Sequence, residues 1–206
     1  MSQVLTIAPQ NGTSDERFRD IIFERNYIEA TINYSYSMVI NGGIRVTVRN
    51  NITRLKNGAV GAIIAGGSSW AGNGNASIPP VDHAYYNNTT YASDTIGHAV
   101  DAYFVNTSIG TGFLFYNNVA YTPAYSGTKK VLNITAGTTY TELTNSSNAQ
   151  MGATTPNFAA TPPVSYADYR PTTGYAVNGG TTIPVYDDFN GLARIYPTAD
   201  IGAVTP

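Results

Sequence analysis

The sequence predicts an all-β chain wound as a parallel β-helix, a solenoid of about five coils closed by a non-repeating C-terminal cap. Three observations carry this expectation: a recurring asparagine phrase, strands that alternate apolar and polar residues, and a late change to a proline-broken rhythm. The phrase reads FERNYI at 23–28, VRNNIT at 48–53, YYNNTTY at 85–91 and FYNNVAY at 115–121. Aligned on one asparagine, it places Asn26, Asn51, Asn88 and Asn118 at separations of 25, 37 and 30 residues, with Asn148 a further 30 on. Self-similarity at roughly 20 to 50 residues marks a stacked fold in which each repeat leans on its neighbours. An amide both donates and accepts, so identical amides about 4.8 Å apart can bond rung to rung.

Taken in order, residues 1–20 hold a first strand at Val4–Ile7 and a polar loop, NGTSDER, read as a helical turn or an insertion. IIFERN, NYIEATINY and SMVINGG follow, and the Gly42-Gly43 pair marks a corner. In IRVTVRNNI, Ile44, Val46 and Val48 alternate with Arg45, Thr47 and Arg49, the period of a strand with one buried side. AVGAIIAG is a second apolar strand. The Gly/Ser/Asn-rich stretch from 66 to 80, which carries Trp70, is a loop leaving between coils and lengthens that interval. Two more coils, VDHAYYNNTTY with HAVDAYFVN and TGFLFYNNVAY with KKVLNITAG, complete residues 1–155. Across 156–206, Pro156, Pro162, Pro163, Pro171, Pro184 and Pro197 interrupt the repeat, and this segment is expected to cover the open end of the core as part of the same domain.

The asparagine register sets the other columns. Two residues before it stand Glu24, Arg49, Tyr86 and Tyr116; three after it stand Glu29, Arg54, Tyr91 and Tyr121. Both columns read acid, base, tyrosine, tyrosine, and Asp20, Arg45 and Asp82 make a third of alternating charge. The inward columns are expected to be Phe23, Val48, Tyr85 and Phe115, with Ile21, Val46, His83 and Phe113 beside them. His83 there is either buried, neutral and partnered, or evidence that the third coil slips by one residue. The outward columns have two readings: a saccharide strip, with tyrosine faces on sugar rings and charged groups on hydroxyls and uronates, or a solvated face whose charges pair. Trp70 is a sugar platform or a cover for the coil.

Composition narrows the partners. Only 12% of the 206 residues are charged and the net charge is −2, which leaves no basic footprint for nucleic acid and no polybasic membrane patch. No apolar run approaches the roughly 20 residues of a membrane span, so membrane insertion is not expected. With no cysteine, disulfides and thiolate zinc sites are excluded, and no metal or cofactor is expected. Sixteen tyrosines and twenty glycines fit an extracellular or virion-surface β-protein. The N-terminus lacks the basic and apolar regions of a signal peptide, so export is expected through a removed leader or another route. Sequons at Asn11, Asn51, Asn75, Asn87, Asn88, Asn106, Asn133 and Asn145 are discounted, since Asn51 and Asn88 are expected to point inward.

The segment DYRPTTGYAVNGGTTIPVYDDFNGLARIYPTADIGA, 168–203, carries a resemblance. Its core is Asp188, Gly191, Arg194 and then Asp200-Ile201-Gly202-Ala203, preceded by Pro156-Asn157-Phe158. With the coils before it, this D-x-x-G-x-x-R…D-I-G-A ending resembles the C-terminal end of bacterial, extracellular members of the right-handed parallel β-helix (pectate-lyase-like) superfamily. Asp188, Arg194 and Asp200 are read as a structural cluster fastening the cap, and Gly191 and Gly202 as tight turns. Such relatives usually carry more coils upstream and an acidic-aromatic ending, where this chain has Val204-Thr205-Pro206. It therefore reads as the C-terminal half of a longer helix or as a short relative.

The resemblance implies a group that holds polysaccharide lyases, polygalacturonase-type hydrolases, phage tailspikes and proteins without known activity, so the fold alone licenses no reaction. A hydrolase needs clustered carboxylates, and Asp20, Glu24, Glu29 and Asp82 each have an Arg neighbour that keeps them ionised. A lyase needs a base and a charge clamp, for which Arg49, Arg54, Lys56, Asp82 and His83 are candidates. Asp82, His83 and Arg49 are the catalytic residues to watch, since VDH at 81–83 resembles a pectate-lyase motif. Two functions are carried forward. Either the chain binds, or binds and cleaves, an extracellular polysaccharide along its outer strip, or it is a non-catalytic rod, a fibre or virion-spike subunit that self-associates.

Overall fold

A computed structural model describes residues 5–7, 18–31, 36–66, 79–92, 100–107, 109–123, 128–145, 155–183, 187–194 and 200–205. Fourteen strands occur among them: β1 (Leu5–Ile7), β2 (Arg19–Glu24), β3 (Tyr27–Ala30), β4 (Tyr36–Asn41), β5 (Ile44–Arg49), β6 (Ile52–Leu55), β7 (Gly61–Gly66), β8 (Ala84–Tyr86), β9 (Thr89–Ala92), β10 (Val100–Asn106), β11 (Phe113–Tyr116), β12 (Val119–Tyr121), β13 (Lys129–Ile134) and β14 (Tyr140–Leu143). They form three sheets, β1-β4-β7-β10-β13, β2-β5-β8-β11-β14 and β3-β6-β9-β12, in which every strand pairs in parallel with the strand three places away. The fold is an all-β parallel solenoid, as the sequence predicts.

Period-two alternation decides which side of each strand faces in. Phe23, Val48, Tyr85 and Phe115 align in one inward column, and Ile21, Val46, His83 and Phe113 stand two residues before them, so the third coil does not slip. Burial of these side chains is the main driving term, and the rings add to it by stacking. Tyr85 lies on Phe115 at 4.9 Å and 7°, and Tyr103 from the first sheet meets both edge-on at 5.6 Å.

Each coil turns through two bends that use left-handed backbone. One lies at the entry to the second sheet, at Asp20 and Arg45 one residue into β2 and β5 and at Asp82 and Gly112 just before β8 and β11, with φ of 57, 53, 54 and 71°. At Gly112 a Cβ would lie 2.1 Å from Asp82 Oδ1, so a side chain there would require the Asp82 carboxylate to move. The other joins the second and third sheets at Arg25, Asn50, Asn87, Asn117 and Thr144, with φ between 49 and 56°. Asparagine is the non-glycine residue that tolerates this region best, which explains why it holds the three middle coils.

The described residues of the C-terminal segment, 155–183, 187–194 and 200–205, are placed along the coils where the sequence reading expected a cover over their open end. They pack along the flank of the third sheet, where Phe158, Tyr169, Ala176, Ile201, Ala203 and Val204 form a second core with Ile52, Tyr91 and Val119. The physical reason is that the outward face of the third sheet offers apolar and aromatic surface, Ile52, Val119, Tyr91 and Tyr121, for the segment to cover. Gly202, at φ 96°, lets the backbone approach so closely that a Cβ would meet Thr89 Oγ1 at 2.8 Å. There its N–H reaches Asn117 O at 2.7 Å, and the Ala203 N–H reaches Thr89 Oγ1 at 2.9 Å.

Candidate functional site

The residues that define the site's frame are the buried amides. Backbone N–H and Nδ2 of Asn26 both donate to Asn51 Oδ1, at 3.0 and 2.9 Å. Asn51 repeats this to Asn88 at 3.0 and 3.1 Å, and Asn88 to Asn118 at 3.0 and 3.0 Å. The second Nδ2 proton ties each amide after Asn26 to a carbonyl of the coil before, as in Asn88 to Val48 O at 2.9 Å and Asn118 to Tyr85 O at 2.9 Å, while that of Asn26 goes to Glu24 O in its own coil at 3.0 Å. The next rung is Asn145, 27 residues on, whose Oδ1 accepts from Asn118 at 2.9 and 2.8 Å. Asn148, expected in that place, lies outside the described residues. In this coil Thr144-Asn145 stands where the three middle coils have an asparagine pair, so the phrase is disguised.

This frame puts the first outer column on the second sheet in unbroken register: Glu24 opposite Arg49, Arg49 opposite Tyr86, Tyr86 opposite Tyr116. Arg49 Nε donates to Glu24 Oε2 at 2.6 Å. The rings of Tyr86 and Tyr116 stack at 5.6 Å and 23°. All four side chains are half-buried, while Ile22 and Leu143 on the same face stand out into solvent. At the bend beneath, Arg45 binds Asp20 through both carboxylate oxygens at 2.6 and 2.8 Å, and that guanidinium holds the Asp20 carboxyl below the usual carboxylate range.

The second outer column is also in register, Glu29, Arg54, Tyr91 and Tyr121, but it is not an open strip. Tyr91 is 2% exposed, with Phe158 and Tyr169 set edge-on against it at 6.3 and 6.0 Å. Tyr121 meets Phe158 at 6.4 Å. Glu29 is shared by Arg54 at 3.4 Å and Lys56 at 2.7 Å. The C-terminal segment thus occupies the place in which a sugar was expected.

The catalytic candidates are not brought together. His83 is fully buried, with Nδ1 3.2 Å from Tyr85 Oη and Nε2 3.3 Å from Gly43 O, and burial pushes its pKa down to about 4, so it is a neutral core residue at pH 7. Asp82 is exposed at the bend beside Arg45. Arg49 faces Tyr86, four residues along the strand from Asp82 and so about 13 Å away. Trp70 lies outside the described residues. Among the described residues no group of His, Cys, Asp and Glu could hold a metal ion.

The cluster in the C-terminal segment fastens it, by a different route from the one expected. Arg194 does not pair with the carboxylates of Asp188 and Asp200. Its guanidinium donates to the carbonyls of Asp187 (2.8 Å), Gly202 (2.8 Å) and Ala203 (3.2 Å) and to Asn50 Oδ1 (3.0 Å), and burial pushes its pKa down to about 10. Asp188 instead accepts from the N–H groups of Asn190 and Leu192 at 2.8 and 2.9 Å, and Asp200 from Asn178 N–H at 2.8 Å. Backbone donors near each aspartate are satisfied locally, which leaves Arg194 to gather carbonyls at the junction with the coils.

Sequence reasoning missed two groups. One is the first asparagine of each pair. Asn117 Nδ2 donates to Thr181 O at 2.7 Å while its Oδ1 accepts from Thr181 N–H at 2.8 Å, and Asn50 Nδ2 donates to Asp187 O at 2.9 Å. The doubling of Asn in the phrase was the available signal. The other is a polar cluster on the first sheet. Asp101 is buried and accepts from Asn133 Nδ2 at 2.9 Å, and Lys130 Nζ donates to Asn133 Oδ1 at 3.1 Å. Burial pushes the Asp101 carboxyl up, and burial beside Asp101 pushes the Tyr36 phenol up. Asp101 interrupting an apolar run was its only trace in the sequence.

Compared with families, with curated proteins and with solved structures, the chain matches none.

Proposed function

We propose that this chain is an extracellular or virion-surface polysaccharide-binding solenoid of the pectate-lyase-like kind, whose binding strip is the column Glu24, Arg49, Tyr86 and Tyr116. The observation that carries the reading is the stacked pair Tyr86 and Tyr116, in register with the Glu24–Arg49 ion pair on a face that also presents Ile22 to solvent. Tyrosine faces suit the apolar faces of pyranose rings, and an arginine already seated by a carboxylate is placed to take a uronate by its free N–H groups. Binding without cleavage fits the surroundings. His83 is walled in and neutral, and Glu24 is engaged by Arg49 at 2.6 Å, so neither side chain is free to reach a bound sugar as an acid or a base.

The test is calorimetric titration against a panel of acidic and neutral polysaccharides, with product analysis. A uronate polymer is expected to bind, and Tyr86→Ala with Tyr116→Ala to weaken it by about tenfold or more, the size of one lost stacking contact. Unchanged affinity in the double variant, or release of unsaturated uronides by the parent chain, would overturn the reading.

A further inference from the structure

The two ends of the stack present complementary chemistry, and one side chain stands between them. Core residues on the terminal rungs are only partly covered: Leu5, Ile7, Phe23 and Ile28 at one end, Leu132 and Ile134 at the other. Tyr140, which continues the inward column of Phe113, is 49% exposed. The ladder is polar, since each rung sends its donors to Oδ1 of the next. Among the described residues, that leaves an acceptor at the first rung, Asn26 Oδ1, and a backbone donor at the last, the Asn145 N–H. The end of one copy can therefore donate to the beginning of another, a head-to-tail contact that repeats without closing.

Glu142 occupies the decisive position. Its register makes it the fifth member of the inward column Phe23, Val48, Tyr85, Phe115, in which the other four are apolar. Its Oε1 accepts from Asn145 Nδ2 at 3.3 Å, taking an amide proton that Asn26, Asn51, Asn88 and Asn118 send forward to the next rung. In the single chain this carboxylate is exposed and hydrated. Under a second copy it would be buried against Phe23, with the acidic Glu24 beside it. An inward-pointing charge on an exposed strand is a known way of denying an edge to another chain.

We infer that Glu142 is a gatekeeper, which terminates the asparagine ladder and keeps a second copy of this chain from stacking head to tail on the β14 end. The inference does not rest on the sugar strip, which lies on the outer face of the same sheet.

The experiment is sedimentation velocity at neutral pH on the full chain and three variants, with circular dichroism as the check on folding. Glu142→Leu is expected to associate about 100-fold or more tightly than the parent, because it removes a charge that association would bury unpaired. Electron micrographs of it should contain rods. The double variant Phe23→Glu with Glu142→Leu moves the charge to the other end and should stay monomeric. Phe23→Lys, with Glu142 retained, offers the carboxylate a cation and should also associate. If Glu142→Leu does not fold, Phe23→Lys decides alone: association supports the gate and a monomer overturns it. The gate is equally overturned by a folded, monomeric Glu142→Leu, by a parent chain that already associates as tightly, or by aggregation that Phe23→Glu leaves unchanged.

Discussion

Adjacent residues at one bend do opposite work. In each middle coil the first asparagine of the pair, Asn50, Asn87 or Asn117, takes left-handed backbone and turns away from the coil axis, while the second, Asn51, Asn88 or Asn118, turns in and bonds its own kind. The outer row grips the C-terminal segment through Asn50 and Asn117; the inner row binds coil to coil. The same division recurs at the other bend, where Asp82 is left-handed and exposed while His83 is extended inward and buried. One residue of left-handed backbone separates a group that meets solvent or another segment from one that never does. The lesson is that the repeat is a two-letter phrase, with a conformational letter followed by a bonding letter.

Three measurements would break or sharpen this contrast. The largest effect is expected inside one pair. Asn88→Ala strands the amide donors of Asn51 and the carbonyl of Val48 in the interior, at a cost of about 3 kcal/mol or more by urea unfolding, since each buried unsatisfied group costs about 1–3 kcal/mol. Asn87→Gly, one residue earlier, should change stability by less than about 0.5 kcal/mol, because glycine takes the left-handed bend freely and the Asn87 amide has no hydrogen-bond partner among the described residues. Equal costs at 87 and 88 would end the division of labour proposed here.

Next in size is the pH response of the inward histidine. Folding lowers the His83 pKa from 6.5 to about 4, so the unfolded chain binds the proton more readily. The stability this neutral ring contributes is whole above pH 6.5 and is lost as pH falls toward 4, by about 3 kcal/mol in all. Acidic side chains titrate over the lower part of that window as well, so the measurement is a difference: His83→Phe, matching Phe113 in the same column, should flatten the wild-type slope between pH 6.5 and 5. A slope that survives the substitution would place the titrating group elsewhere.

The smallest effect tests the outer row where it does have partners. Asn50→Ala loses bonds to Asp187 O and from Arg194 Nη2 and puts alanine into a left-handed bend, for about 2 kcal/mol. It should loosen the segment 187–194 in hydrogen exchange while the strands keep their protection.

Much of this architecture was legible because it repeats. Val46 and Val48 announce an inward face by alternation, and Asn51, Asn88 and Asn118 announce a ladder by spacing, since both are local patterns copied from coil to coil. Asn145 was missed because Thr144 breaks the pair that marks the three middle bends. The packing of Phe158, Tyr169 and Ile201 on the third sheet was not legible because the partners of this segment are set by tertiary contact alone. Nothing near Asp187 in the sequence points to Asn50, which lies 137 residues away. The same blindness made Tyr91 look like an open sugar platform, since its column is identical in pattern to that of Tyr86 and only Phe158 and Tyr169 distinguish them.

The course of the C-terminal segment bears on how such a stack comes apart. Coils that touch only their neighbours can fray one at a time from either end. Here one stretch of chain acts as a splint: Asp187 pairs with Arg25 beside the first rung, and Thr181 receives the grip of Asn117 and Thr144 beside the last. Peeling a terminal coil must also break its contacts with this splint, so unfolding is expected to be more cooperative than the coil-by-coil unzipping typical of repeat arrays.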